Sequence, residues 1–396
     1  CGVFAACSSP AAETPSEPTT TEETPATTED ADAASLVSDA FINPTADWGQ
    51  YNDLITQIKT ETDYAKRTEL MHQAEDILMS NYCILPFYYY NDLYMQKEYV
   101  DGIYANLFQT KFFMYATMSN GSDTLRLNLA SEPDFLDPAL NSTVDGACLA
   151  ANSFSGLYTY NAEGHTVPAC ATGYTVSDDG LTYTVTLRDG LKWSDGSDLT
   201  AADFEYSWKR AASTLTAADY GYMFEVVDGY ADMWATDDAG NFLNPDAQLN
   251  VVALDEKTLQ VTTANYVAYW NELLAFPTYF PVREDVVSND AWATDPSTYV
   301  CNGPYTMESW EHNSVITLVK NPNFYDANEI TMETINFYLS DDANNMLSNF
   351  KNGDWELIDD VPTNEIASLK AEYPDEFVVA GQIGTYYVCW NINEDI

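Results

Sequence analysis

The chain has 396 residues, enough to bury a sizeable core and to form two lobes or domains. Its formal charge is −47, from 62 Asp and Glu against 15 Lys and Arg. Such a surface repels phosphate backbones and gains nothing from anionic lipid, so nucleic acid and electrostatic membrane docking are poor partners, while solubility and a monomeric state are favoured.

Residues 8–34 are Pro, Thr, Ala, Ser and acid, with seven acidic residues and no basic one. They cannot form a core, and residues 1–34 are expected to be a disordered, extended stalk. Cys1 heads this stalk, and Phe4-Ala-Ala-Cys7 is similar to a lipoprotein cleavage box. Cys1 or Cys7 is therefore the expected lipid attachment point, with ordinary cysteines as the plainer alternative. No apolar run approaches the roughly 18 residues that would span a bilayer, so attachment would be by lipid alone, outside the cytoplasm.

Trp48, Tyr51, Ile55 and Ile58 recur at helical spacing, and Leu70, Met71, Ala74, Ile77 and Leu78 form the apolar face of a second helix after Asp63. Residues 84–90 read as a buried aromatic strand. From Leu125 the period becomes two, with Leu125, Leu127 and Leu129 on one face. Ser177-Asp-Asp-Gly180 marks a hairpin turn into a strand whose Leu181, Tyr183, Val185 and Leu187 share a face, with Thr182, Thr184 and Thr186 opposite. Thr200-Ala-Ala-Asp203 caps a helix that points Phe204, Trp208 and Ala211 inward. Strands are predicted at 258–262, 315–319 and 334–339, and Asn321-Pro322-Asn323 forms a turn. Strands and helices intermix without a repeat, so the expected fold class is α/β in the mixed α+β sense.

Seven cysteines in a chain of this length contain no Cys-x-x-Cys, and the three histidines are isolated. No metal cluster, cofactor or disulfide scaffold is proposed, and the cysteines after Cys7 read as small buried apolar residues. A Gly-x-Ser-x-Gly elbow, a His-Glu-x-x-His site and a phosphate loop are all missing, so nothing recommends an enzyme. The adjacent acids Asp341-Asp342 and Asp359-Asp360 read as surface residues.

Seven motifs stand in order in 125–396: 127–138, Ser177-Asp-Asp-Gly-Leu-Thr-Tyr, Leu187-Arg-Asp-Gly-Leu-Lys-Trp-Ser-Asp-Gly196 and 200–210, then Phe276-Pro-Thr-Tyr-Phe-Pro-Val282, Asn302-Gly-Pro-Tyr305 and Lys320-Asn-Pro-Asn-Phe-Tyr325. Together they resemble the extracellular oligopeptide-binding proteins of bacterial ABC importers. Residues 42–117 resemble the same family's carboxyl-terminal end. The resemblance therefore implies an order permuted or rearranged relative to the family, with much of the family's last lobe expected to be absent after residue 396. The resemblance implies a multi-lobed, periplasmic-binding-protein-like type II fold. It divides the chain into a helical fragment of the last lobe at 35–83, a first lobe at 84–160 plus about 281–385, a small second domain at 161–280, and a crossover at 386–396.

The same resemblance implies a lipid-anchored receptor that passes peptides to a membrane ABC permease. Alternatives are a rearranged binding or interaction protein with an incomplete cleft, and a receptor for another small solute. By family position, Glu132 and Asp137 flank the lip of the cleft, against a plain turn of solvated acids. Asn302 and Gly303 follow an inter-lobe connection, where Gly303 permits either a tight bend or a close backbone approach. Tyr386, Tyr387, Trp390 and Asn391 sit at the crossover as ligand-binding candidates, with core packing the alternative for the tyrosines. No segment matches the family's last-lobe aspartate that receives a peptide amino terminus.

Overall fold

The computed structural model describes residues 48–389, except 134, 135, 238 and 290. The stalk, Cys1, Cys7, Trp390 and Asn391 lie outside the described residues. The chain divides into two units, one of residues 1–85 with 388–396 and one of Pro86–Tyr387.

In the first unit, helix α1 (Trp48–Thr60) pairs with α2 (Tyr64–Ser80). Asp63 caps α2 by accepting the Lys66 N–H at 2.8 Å. Leu54 and Ile58 meet Leu70 and Ala74 in a small core. The expected stripe on α1 is rotated: Leu54, one turn before Ile58, is buried, while Trp48 is exposed and packs edge-on against Tyr51.

The second unit carries two main sheets. Its elements in chain order are β1 (Ile84–Gln96), β2 (Thr124–Leu129), α3 (Val144–Ser153), β3 (Ala171–Val176), β4 (Thr182–Leu187), α4 (Ala201–Ala212), β5 (Val251–Asp255) and β6 (Thr258–Thr262). There follow β7 (Tyr305–Glu311), β8 (Val315–Lys320), β9 (Thr334–Leu339), α5 (Ala343–Asn352), β10 (Leu357–Ile358), α6 (Ile366–Glu372) and β11 (Phe377–Cys389). The larger sheet has the order β7-β8-β9-β2-β10-β1-β11. β9 and β10 both run parallel to β2, on its two sides, while β7, β8 and β1 pair antiparallel to their neighbours. The alternation expected from Leu125 places Leu125, Leu127 and Leu129 in the core.

The smaller sheet is β5-β6-β4-β3, antiparallel throughout. Tyr183, Val185 and Leu187 of β4 are buried. Gly180 takes a positive φ of 78° at the turn before it. Thr200 and Asp203 form a reciprocal capping box on α4. Phe204, Trp208 and Ala211 then face inward, and the Trp208 indole N–H donates to the Tyr279 carbonyl at 2.8 Å. Phe224, Trp270 and Tyr279 surround the indole ring.

The aromatic strand at 84–90 is extended as expected but is not buried. Phe87, Tyr88, Tyr89 and Tyr90 are 61, 53, 80 and 37% exposed. Only the distal half of β1, with Met95 at its heart, lies under the core. The first half pairs with β11 as a two-stranded ribbon. The Gln96 N–H donates to the Glu376 carbonyl at one end, and the Tyr88 ring stacks on Tyr386 at 5.1 Å towards the other, so the strands run antiparallel. A hydrophobic run alone cannot distinguish a covered strand from a bare ribbon.

Among the described residues no helix is long and apolar enough to cross a membrane. Cys148, Cys170 and Cys301 are buried free thiols as expected, but Cys389 is exposed and Cys83 half-buried, each near a strand end where packing thins out.

Candidate functional site

Because β2 and β10 are parallel neighbours, their carboxyl ends open on one edge of the sheet, next to the amino terminus of α3. Thr143 caps α3 by accepting the Gly146 N–H at 3.1 Å. A small recess of about 20 Å³, the space of one water, opens among Lys111, Asn128, Asp145, Cys148 and Asp359.

The recess is organised by a buried cation. The Lys111 ammonium donates to Asp359 and, at 3.3 Å, to Asp92, and it lies 4.8 Å from the Tyr94 ring centre. Burial opposes the charge on Lys111, but Asp359 and then Asp92 outweigh burial and hold its pKa above the ordinary lysine range. Asp92 goes the other way: burial raises its carboxyl pKa despite Lys111. Asp359 is therefore the stronger partner, since it keeps part of its hydration and Asp92 does not.

Asp145 accepts both the backbone N–H and the hydroxyl of Ser131, at 2.8 and 2.6 Å, yet burial still raises its pKa. Asn128 accepts the Asp359 N–H at 2.7 Å and so fixes the end of β10. Asn152 accepts the Phe113 N–H at 2.9 Å and donates to the Lys111 carbonyl at 2.8 Å, tying the Lys111 strand to α3. Burial pushes the Cys148 thiol up to about 12, so it is a packing group here and not a nucleophile. The edge can hold polar ligand groups through Asp145, Asp359 and backbone, but contains no base aligned on a nucleophile.

The residues expected from sequence fall in separate surroundings. Glu132 reaches from the loop after β2 to the β7–β8 turn, where its carboxylate meets His312 Nδ1 at 2.7 Å and the Asn313 N–H at 2.9 Å. Asp137 is buried and accepts two bonds from Arg210 of α4, at 3.2 and 2.6 Å, and one from the Ala139 N–H. Its carboxylate is committed to joining the loop to α4. Asn302 clasps Ser155, accepting its N–H at 3.1 Å and donating to its carbonyl at 2.9 Å.

Gly303 donates to the Ser153 carbonyl at 2.8 Å, and an added Cβ would lie 2.5 Å from the Phe154 nitrogen. Close approach to the end of α3, not a positive φ, is what this glycine supplies. Tyr386 stands on the exposed ribbon with Tyr88 and Tyr90, and Tyr387 is half-buried. Trp390 and Asn391 are not among the described residues.

The Asp92–Lys111–Asp359 cluster was missed in the sequence. Asp359, which reads with Asp360 as surface acid, is instead half-buried against Lys111. The available signal was a lone lysine between Thr110 and Phe112 in an acidic, aromatic stretch, because a cation in such a strand needs an anion.

Residues 165–396 match the description "Bacterial extracellular solute-binding proteins, family 5 Middle". The oligopeptide-binding protein OppA of Bacillus subtilis is 36% identical over 261 residues, covering 64% of this chain and 47% of the relative. A probable deoxycholate-binding periplasmic protein, YgiS of Escherichia coli, is 30% identical over 280 residues, covering 68% of this chain and 50% of the relative. Among solved structures, Listeria monocytogenes OppA bound to peptide aligns with a TM-score of 0.55 at 30% identity, covering 59% of this chain and 46% of that one. The chain thus spans about half the length of the relatives it matches.

Proposed function

Because this chain belongs to the bacterial extracellular solute-binding proteins of family 5, we propose that it captures peptides outside the cytoplasm and delivers them to a membrane ABC permease. The observation that carries the reading is the open polar edge at the carboxyl ends of β2 and β10, in a chain whose relatives are named for oligopeptide binding. An extended peptide presents one N–H and one C=O per residue, which backbone and side-chain groups along such an edge can pair, while hydrated recesses accept varied side chains. The working step is closure of lobes around ligand, without chemical turnover. A lipid on Cys1 or Cys7, followed by the acidic stalk, would hold this monomeric receptor at the membrane.

The rearranged order belongs to the same proposal. Residues 84–118 carry β1 between β10 and β11, and Lys111 and Phe113 bond to Asp359 and Asn152, which supports this segment as an integral part of the first lobe.

Incubation of the 396-residue chain with a mixed pool of short peptides, followed by native mass spectrometry, tests the reading. One-to-one peptide adducts are expected. A second reading is favoured by the exposed aromatic ribbon: a rearranged binding or interaction protein whose cleft is incomplete. A folded monomer that retains no peptide refutes the receptor reading and leaves this one. Retention of deoxycholate added to the same pool, and of no peptide, would instead indicate another small solute.

A further inference from the structure

Beyond the peptide-facing edge, a second and larger cavity of about 170 Å³ opens at the other end of α3, and the two share no lining residue. Its apolar wall is a stack of rings. Tyr104 lies flat on Phe112 at 5.0 Å, Tyr115 flanks Tyr104 at 6.4 Å, and Tyr160 tilts against Phe112 at 6.5 Å. The Tyr104 hydroxyl donates to the Tyr160 carbonyl at 3.0 Å, which fixes the stack. A cavity of about 150 Å³ is known to admit one benzene-sized body, so this one takes a single ring or a branched alkyl group.

The rim carries two opposite charges that do not neutralise each other. Arg188 lies over the Tyr325 ring, 4.9 Å from its centre. One side of its guanidinium is fixed by donation to the Ala169 and Pro168 carbonyls. Among the described residues no carboxylate stands within ion-pair distance of it, in a chain with 62 acidic residues. Asp326 follows Tyr325 in the chain and also lines the cavity, and its carboxylate has no hydrogen-bond or ion-pair partner among the described residues.

The geometry points to a site for one free α-amino acid with a ring or branched apolar side chain. Its carboxylate binds the open side of Arg188, its ammonium binds Asp326, and its side chain enters the Tyr104–Phe112–Tyr160 wall. A lone carboxylate would leave Asp326 unanswered, and a lone amine would leave Arg188 so. In a peptide the free ammonium and carboxylate sit on different residues, so the pair of charges one carbon apart that Arg188 and Asp326 would answer together is lost.

Calorimetric titration of the full chain with L-phenylalanine and L-leucine tests the assignment, with phenylacetate and phenethylamine as single-charge controls. Saturable one-to-one binding of an amino acid is expected, with each control weaker by about tenfold or more. Asp326→Asn, at a residue without a partner to lose, should weaken phenylalanine about tenfold and leave phenylacetate unchanged. Arg188→Gln should weaken phenylalanine and phenylacetate alike, with circular dichroism confirming the fold. Absence of amino-acid binding to the folded parent chain overturns the inference, as does binding indifferent to Asp326→Asn. Displacement of phenylalanine by a dipeptide overturns it too, by placing the amino acid on the peptide-facing edge.

Discussion

Replacing Lys111 by Met keeps the length of the side chain and removes the only cation bonded to Asp92 among the described residues. At neutral pH the variant must bury an unpaired carboxylate or protonate it. Protonation sets the ceiling. An Asp with an ordinary pKa of 3.8 costs about 1.4 kcal/mol for each pH unit by which the solution exceeds that value, hence about 4 kcal/mol at pH 7. Part of this is already present in the parent, where burial raises the Asp92 pKa, so the expected loss is about 3 kcal/mol, in the usual range for breaking a buried pair.

The sign follows from linkage. A carboxyl with a raised folded-state pKa holds more protons folded than unfolded, so its contribution is fully present below 3.8 and is lost as pH rises through the folded value. Without Lys111 that folded value climbs further. Lys111 itself has a raised pKa, so its own contribution is intact everywhere below the ordinary 10.5 and does not titrate in this window. The deficit of the variant should therefore shrink to below about 1.5 kcal/mol at pH 5, since the protonation ceiling there is itself only about 1.6 kcal/mol and the parent already bears part of it. Urea denaturation followed by tryptophan fluorescence at pH 5 and pH 7 measures both values, and Asp92→Asn combined with Lys111→Met should recover most of the loss. A deficit under about 1 kcal/mol at pH 7, or one equal at both pH values, refutes the reasoning.

Gly303→Ala should cost about 1–3 kcal/mol, read as a lowered Tm, because the new methyl meets the backbone of Ser153 and Phe154 and not a movable side chain. Asp137→Asn strips Arg210 of its buried anion and should cost about 3 kcal/mol in the same assay, while any peptide affinity of the parent chain stays within about twofold. In the native protein at pH 8, iodoacetamide should modify Cys389 and spare Cys148, Cys170 and Cys301 until denaturant is added. Burial holds those three thiols at about 12, about 12 and about 11, and peptide mapping reads the sites.

Local pattern carried much of the fold. The alternation in β2 and β4, the capping box at Thr200 and the strand ranges of β6, β8 and β9 are written in neighbouring residues, where period and cap chemistry act. The exposure of Phe87 to Tyr90 was not legible, because it depends on what covers a strand, which no local pattern records. The candidate site was less legible still. Asp92, Lys111 and Asp359 come from three separated stretches that meet only when β1 and β10 pair. Asp137 and Asn302 stand in motifs that the sequence singles out, but each is occupied by a structural partner far along the chain, Arg210 at 73 residues or Ser155 at 147.

The position of β1 in the sheet has a consequence for how the chain comes to fold. Lys97, just past the strand, is paired with Glu376, 279 residues away, and both neighbours of β1 lie in the last part of the chain. During synthesis from the amino terminus, β1 emerges first and waits for almost the whole remaining chain before it has either partner. Closing so long a loop costs entropy that local contacts cannot offset early, so the last step in assembling the larger sheet is slow. Until then Phe87-Tyr-Tyr-Tyr90 is an unpaired aromatic strand with free edges, the kind of segment that joins other chains. Yield on refolding should therefore fall steeply with protein concentration, and an early-binding chaperone would act first on β1.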